Sequence, residues 1–212
     1  MSLECSISFL HGKILAALMP SVAYVYKQNS GDKGVTTTLL CCICASGMSI
    51  PTLVIFKGVR KNMIGRNPMC SLVHLSPKGW INAILFAEWF QHFIECISSH
   101  RLVVLFMDSH VSDITPKILS KTSDNGIHLV TFPSHMTHLL QPLDIGVYRP
   151  LKEGWRKEVA KILTEHPGAK PDLCDFNGLL ASAYHGVFQS ATVWNSFAKT
   201  GVFRFNRDAI SR

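Results

Sequence analysis

The sequence predicts an α/β protein built on one mixed β-sheet with helices over it. Three observations carry this. The uncharged stretch from Gly34 to Phe56 divides into two β-rich halves around a turn of small residues. Downstream, short apolar runs alternate with segments of helical periodicity. Finally, 212 residues at 47% hydrophobic content suffice for one core of ordinary size. The order hairpin, strand, helix, strand, helix, strand, helix implies right-handed crossovers between parallel strands.

Each element follows from its residues. The amino-terminal piece to about Ala23 matches no clear pattern and supports at most a short helix, although Cys5, Ile7 and Phe9 alternate as in a strand. "VTTTLLCCICA" and "SIPTLVIFKG" flank Ala45-Ser46-Gly47 and read as a hairpin. "CSLVHLSP" is a short third strand. In "NAILFAEWFQHFIECI" the apolar residues Ile84, Leu85, Trp89, Phe93 and Ile97 have helical spacing, and Trp80 and Trp89 are expected in the core. "RLVVLFMD" is a buried-looking strand. A helix is expected from Thr115 to about Asn125, with Pro116 in its first turn and Ser112-Asp113 leading into it. "IHLVTFP" follows as a strand. From about Pro142 a long amphipathic helix runs through "IGVYRPLKEGWRKEVAKIL", with Pro150 expected to kink or break it. Beyond Pro167 the pattern supports one or two helices, packed on the sheet or on a neighbouring chain.

Charge and cysteine usage bound the function. Lys and Arg number 21 against 14 Asp and Glu, a formal net charge of +7 and a pI near 9.1. That balance suits a polyanionic partner such as nucleic acid without identifying it. Seven cysteines without regular spacing argue against a secreted disulfide framework and for a reducing compartment. Cys41 and Cys44 form a C-x-x-C inside a strand-like run and read as buried strand residues rather than zinc ligands. Glu4, His11 and Lys13 spoil a signal-peptide reading of the amino terminus, and the Gly34–Phe56 run is a hairpin rather than a membrane span.

Two carboxylates stand where chemistry is possible. Asp108 closes an apolar strand, either as a turn residue or as a ligand at the carboxyl end of a sheet, where ligands gather in such folds. Asp144 sits in the first turn of the long helix, where the helix dipole alone favours an acid. His110, beside Asp108, either orients a ligand, touches a phosphate or caps a loop. His135 and His138 have helical spacing, but Pro133-Ser134 favour a loop over a zinc pair. Lys152, Arg156, Lys157 and Lys161 form a basic stripe that is either a solvated face or a contact to a nucleic-acid backbone.

"VVLFMDSH" followed by "HLLQPLD" leading into "PLK" resembles the DDE superfamily endonuclease domain. The likeness is to the pogo and Tigger type within the mariner group of transposases, with their transposase-derived relatives of jerky and centromere protein B. "CASGMSIPTLVIFKG", "PKGWINAILFAEWFQHFI" and "SFAKTGVFRFN" resemble further blocks in the right order, from about Ser21 to Asn206. Residues 1–20 are therefore set apart as an atypical segment, 21–206 as the domain and 207–212 as a tail. The resemblance implies an RNase H-like fold in which carboxylates hold two divalent cations, Mg²⁺ or Mn²⁺, for phosphodiester displacement. Asp108 matches the second acid of the family triad and Asp144 the third. His138 and Gln141 match the same block and would buttress Asp144.

The first acid is missing. The family carries it on the opening strand, just upstream of the segment resembling "PSVAYVYKQNSGDKG", where this chain has "MSLECSISFLHGKILAALM" with Glu4 as its sole acid. Asp32 falls in the family's polar turn and is no substitute. "DSHVSD" also departs from the family form, with Ser109 and Asp113 in altered places. The resemblance thus implies a sheet whose opening strand is missing or replaced, by "ECSISFL" for example. It also implies a nuclear, transposase-derived domain that binds DNA and no membrane, its cleavage lost. A homodimer or chromatin-associated protein partners are further expectations. A metal-dependent endonuclease whose first acid lies in sequence not given is the alternative.

Overall fold

Two β-branched, cysteine-rich runs, β2 (Thr36–Cys44) and β3 (Ser49–Lys57), pair antiparallel as the expected hairpin. Its turn needs a glycine. Gly47 has a φ of +92°, and a Cβ there would stand 2.6 Å from the Trp194 indole nitrogen. The computed structural model to which these elements belong describes residues 14–24, 36–58, 72–97, 102–108, 114–133, 136–168 and 173–210. Its other strands are β1 (Ile14–Tyr24), β4 (Leu72–Ser76), β5 (Val103–Met107) and β6 (Ile127–Thr131), giving one sheet in the order β4-β3-β2-β1-β5-β6. β1 is antiparallel to β2, whereas the β1–β5, β5–β6 and β3–β4 pairs are parallel.

The opening position of the sheet is therefore filled, and the strand there is central. β1 spans the segment read as pattern-free or helical and crosses the expected boundary at residue 20. Hydrogen bonding on both edges, to β2 and to β5, holds it extended despite its helix-forming Leu, Ala and Met residues. "ECSISFL" lies outside the described residues.

Helix α1 (Ala83–Cys96) begins at Asn82, whose side chain accepts the Ile84 and Leu85 N–H groups at 3.0 Å each. It buries Leu85, Phe86, Trp89, Phe90, Phe93 and Ile94. Ile84 is 71% exposed, because it falls about 100° from that stripe on a helix of 3.6 residues per turn. Trp80 is 55% exposed, contrary to its core assignment, because it precedes the cap in the turn closed by Gly79 N–H on the Ser76 carbonyl. Helix α2 (Pro116–Asp124) is capped by Thr115, with Pro116 at its first position. α1 and α2 cover one face of the sheet in a cluster with Leu40, Cys42, Cys44, Leu53, Ile55, Val103, Leu105 and Met107.

The other face carries α3 (Thr137–Leu140), a π-helical turn (Leu143–Val147), α4 (Tyr148–Glu165), α5 (Leu173–Val187) and α6 (Ser190–Thr200). Pro150 does not break α4. The Tyr148 N–H reaches back to the Leu143 carbonyl, an i→i−5 bond that widens the preceding turn and lets the helix run on through a proline in its first turn. On this face Cys41, Ile43, Val54 and Phe56 pack against Leu143, Val147, Leu151, Phe176, Leu180 and Phe197. Cys41 and Cys44 thus lie on opposite faces, as an odd separation along a strand requires, and cannot share a metal. Burial pushes the Cys41 thiol up to about 12. No described helix is long and apolar enough to cross a membrane.

Candidate nucleic-acid interface and acid pair

Asp108 directly follows the last residue of β5 and is buried. Its strand runs between β1 and β6, so the carboxylate stands at the carboxyl end of the parallel part of the sheet. Asp144 comes from the opposite direction, on the π turn. Its N–H donates to the Gln141 carbonyl at 3.1 Å, and the Ile145 N–H shares that acceptor at 3.2 Å. Leu143 and Val147, either side of it, are fully buried against Val193 and Phe197 of α6. Buried hydrophobic neighbours thereby fix a half-buried acid.

The two acids meet. Asp144's carboxyl is raised above its ordinary value, first by burial and then by the negative charge of Asp108, while Lys152 and His138 oppose the rise. His138 is exposed on α3, and Gln141 is fully buried. Both lie beside Asp144, Gln141 through its backbone carbonyl. His110, His135 and Asp113 lie outside the described residues.

An open cleft of about 410 Å³ runs from Asp144 along α4, lined by Asp144, Tyr148, Arg149, Lys152, Glu153 and Arg156. Asp144, Tyr148, Lys152 and Arg156 recur at i, i+4 and so share one side of the helix. Arg149 is held by Glu153 at 3.1 Å. The cleft takes in Lys152 and Arg156 of the basic stripe, while Lys157 and Lys161 are exposed outside it. Tyr148 and Arg149 were not singled out from sequence, though the i, i+4 step from Asp144 pointed at Tyr148. The buried Tyr148 phenol hydrogen-bonds the Cys41 thiol, tying the start of α4 to the sheet.

β1 supplies no acid. Leu18 pairs with Met107, so one step along both parallel strands brings Met19 beside Asp108. Among the described residues no group of three His, Cys, Asp or Glu side chains is placed to hold a metal. A two-cation site needs carboxylates that bridge and flank both ions, and the pair Asp108 and Asp144 does not fit that requirement.

A mixed sheet of this order, with an acid closing a central strand and another on the helical layer over one face, has the RNase H-like fold. Residues 33–196 match the sequence profile of the DDE superfamily endonuclease, and the chain belongs to that family. In fold it is similar to Mos1 transposase in its strand transfer complex, with a TM-score of 0.51, 13% identity, and coverage of 94% of this chain and 54% of that one. The Mos1 transposase catalytic domain solved with Raltegravir and Mn gives a TM-score of 0.46 at 13% identity, covering 91% of this chain and 84% of that one. A protein of Cochliobolus lunatus described as MFS-type transporter clz9 is 29% identical over 179 residues, 82% of this chain. The chain spans 19% of that relative's length and about half of the Mos1 chain.

Proposed function

We propose that the chain is a transposase-derived nucleic-acid-binding domain, of pogo and Tigger type and akin to jerky and centromere protein B, that has lost phosphodiester cleavage. The cleft carries this reading: Lys152 and Arg156 line one wall together with Asp144, beside the buried Asp108. Lys152 offers a point charge and Arg156 a planar fork, and both suit the phosphate oxygens of DNA. Binding of this kind releases counterions and is largely indifferent to sequence. Bound Mg²⁺ or Mn²⁺ would activate water and stabilise the leaving oxygen in a complete site. Here Asp108 and Asp144 offer two carboxylates and position 19 offers a methionine. The domain acts in the nucleus, as a homodimer or with chromatin-associated protein partners.

Duplex DNA binding measured across a salt series tests the reading. Log Kd should rise steeply with log salt, and Lys152→Ala with Arg156→Ala should reduce the slope by about one unit per lost phosphate contact. Lys157→Ala with Lys161→Ala should reduce it less. An unchanged slope in the first pair would remove the cleft from the interface. In Mg²⁺ or Mn²⁺ the chain should cut no DNA above background. Cleavage that vanishes in both Asp108→Ala and Asp144→Ala would instead make it an active endonuclease.

A further inference from the structure

Helix α6 contributes nothing to the lining of the cleft, yet it touches the turn that carries Asp144 more closely than any side chain at Gly146 would permit. A Cβ at Gly146 would stand 2.7 Å from Ser196 Cβ and 3.1 Å from Ser196 Cα, and it would overlap Ser196 Oγ. Ser196 is buried, and its hydroxyl donates to the Thr192 carbonyl at 2.6 Å, which fixes its rotamer against the turn. Val193 and Phe197, on either side of it, pack in the same core cluster as Leu143 and Val147, which flank Asp144 and Gly146. The contact is therefore backbone against helix, and it is rigid on both sides.

We infer that Ser196 is a positioning residue for Asp144: the close approach of α6 at Gly146 sets how far the π turn is drawn toward the core. It thereby sets where Asp144 stands relative to Asp108 and where α4 presents Lys152. The inference rests on the cleft being the DNA-binding site. The turn passes directly into α4, so a turn pushed off α6 carries the first turns of that helix outward with it. Packed interiors transmit such displacements because they have little room to absorb them.

The test compares Gly146→Ala, Ser196→Gly and the double variant, with Lys199→Ala on the exposed side of α6 as control. Backbone amide NMR resonances of residues 143–147 are recorded together with duplex DNA affinity, well below the unfolding temperature. Gly146→Ala should displace those resonances and weaken DNA binding severalfold. The double variant, in which the new methyl group meets only the Cα of position 196 at 3.1 Å, should restore most of both. If Gly146→Ala does not fold, Ser196→Thr supplies a milder intrusion and should shift the same resonances in the same sense. A lowered melting temperature with unchanged resonances and affinity would overturn the inference, since loss of stability alone moves neither. So would a folded double variant whose resonances lie no nearer the native ones than those of Gly146→Ala. If Lys152→Ala and Arg156→Ala leave DNA binding intact, it is the cleft reading that fails, and the resonances alone then judge Ser196.

Discussion

Asp144 holds a proton more readily in the folded chain than a free aspartate does, because it is half-buried and faces Asp108. A raised carboxyl pKa means the folded state binds the proton more tightly than the unfolded chain. Stability is therefore greatest while Asp144 is protonated, and it falls as pH rises through the folded value. At neutral pH the ionised carboxylate is a net cost. Asp144→Asn removes the charge while keeping the shape. It should raise the melting temperature at neutral pH, with the gain shrinking as pH falls below the folded pKa. A gain that does not vary with pH would show that folding does not raise the Asp144 carboxyl. A neighbouring lesson concerns Met19: no side-chain pattern marked it, and strand register alone sets it beside Asp108.

Helix α1 was legible because its signal is local: a cap at Asn82 and apolar residues at helical spacing. Its ladder of stacked rings, Phe86–Trp89 at 5.8 Å and Trp89–Phe93 at 5.4 Å between centroids, is the centre of the first core. Phe93→Ala should cost about 3–5 kcal/mol in chemical denaturation, and a loss under about 1 kcal/mol would mean the helix is not docked as described. Strand β1 was not legible. "ILAALMPSVAY" has weak β propensity and a proline, which ordinarily argues against a central strand. Its two partners override those preferences. Register also puts position 19 next to Asp108, so Met19→Asp adds a third carboxylate at that end of the sheet. Mn²⁺ titrated by calorimetry should bind Met19→Asp more tightly than the native chain. Equal affinities would mean that position 19 does not face the acid pair.

Across the whole molecule, the net charge of +7 favours polyanions at long range, and on the proposed reading the cleft beside α4 would seat them. Association with duplex DNA should accordingly slow as ionic strength rises, most steeply below about 0.1 M, where the screening length exceeds about 10 Å. An association rate indifferent to salt would confine the electrostatic contribution to short-range contacts. The two helical layers divide the work. α1 and α2 fill one face of the sheet as stabilising core, while α3 to α6 and the π turn cover the other and build the site. Substitutions in the first layer should change stability, and those in the second should change stability and DNA binding together.

The amino-acid order was enough for the hairpin, for β4 to β6, and for α1 and α2, because periodicity, caps and turn residues act over a few neighbouring positions. It was enough too for the basic stripe on α4. Packing settled the remainder. A local rule for Pro150 predicts a break, whereas the π turn before it lets the helix run on. Aromatic character placed Trp80 inside, whereas it stands between the turn closed by Gly79 and the cap at Asn82 and is exposed. The influence of Asp108 on Asp144 and the presence of a central strand without an acid depend on residues far apart in the chain. Contacts of that range are fixed by how sheet and helices close on one another, and no short window of sequence contains them.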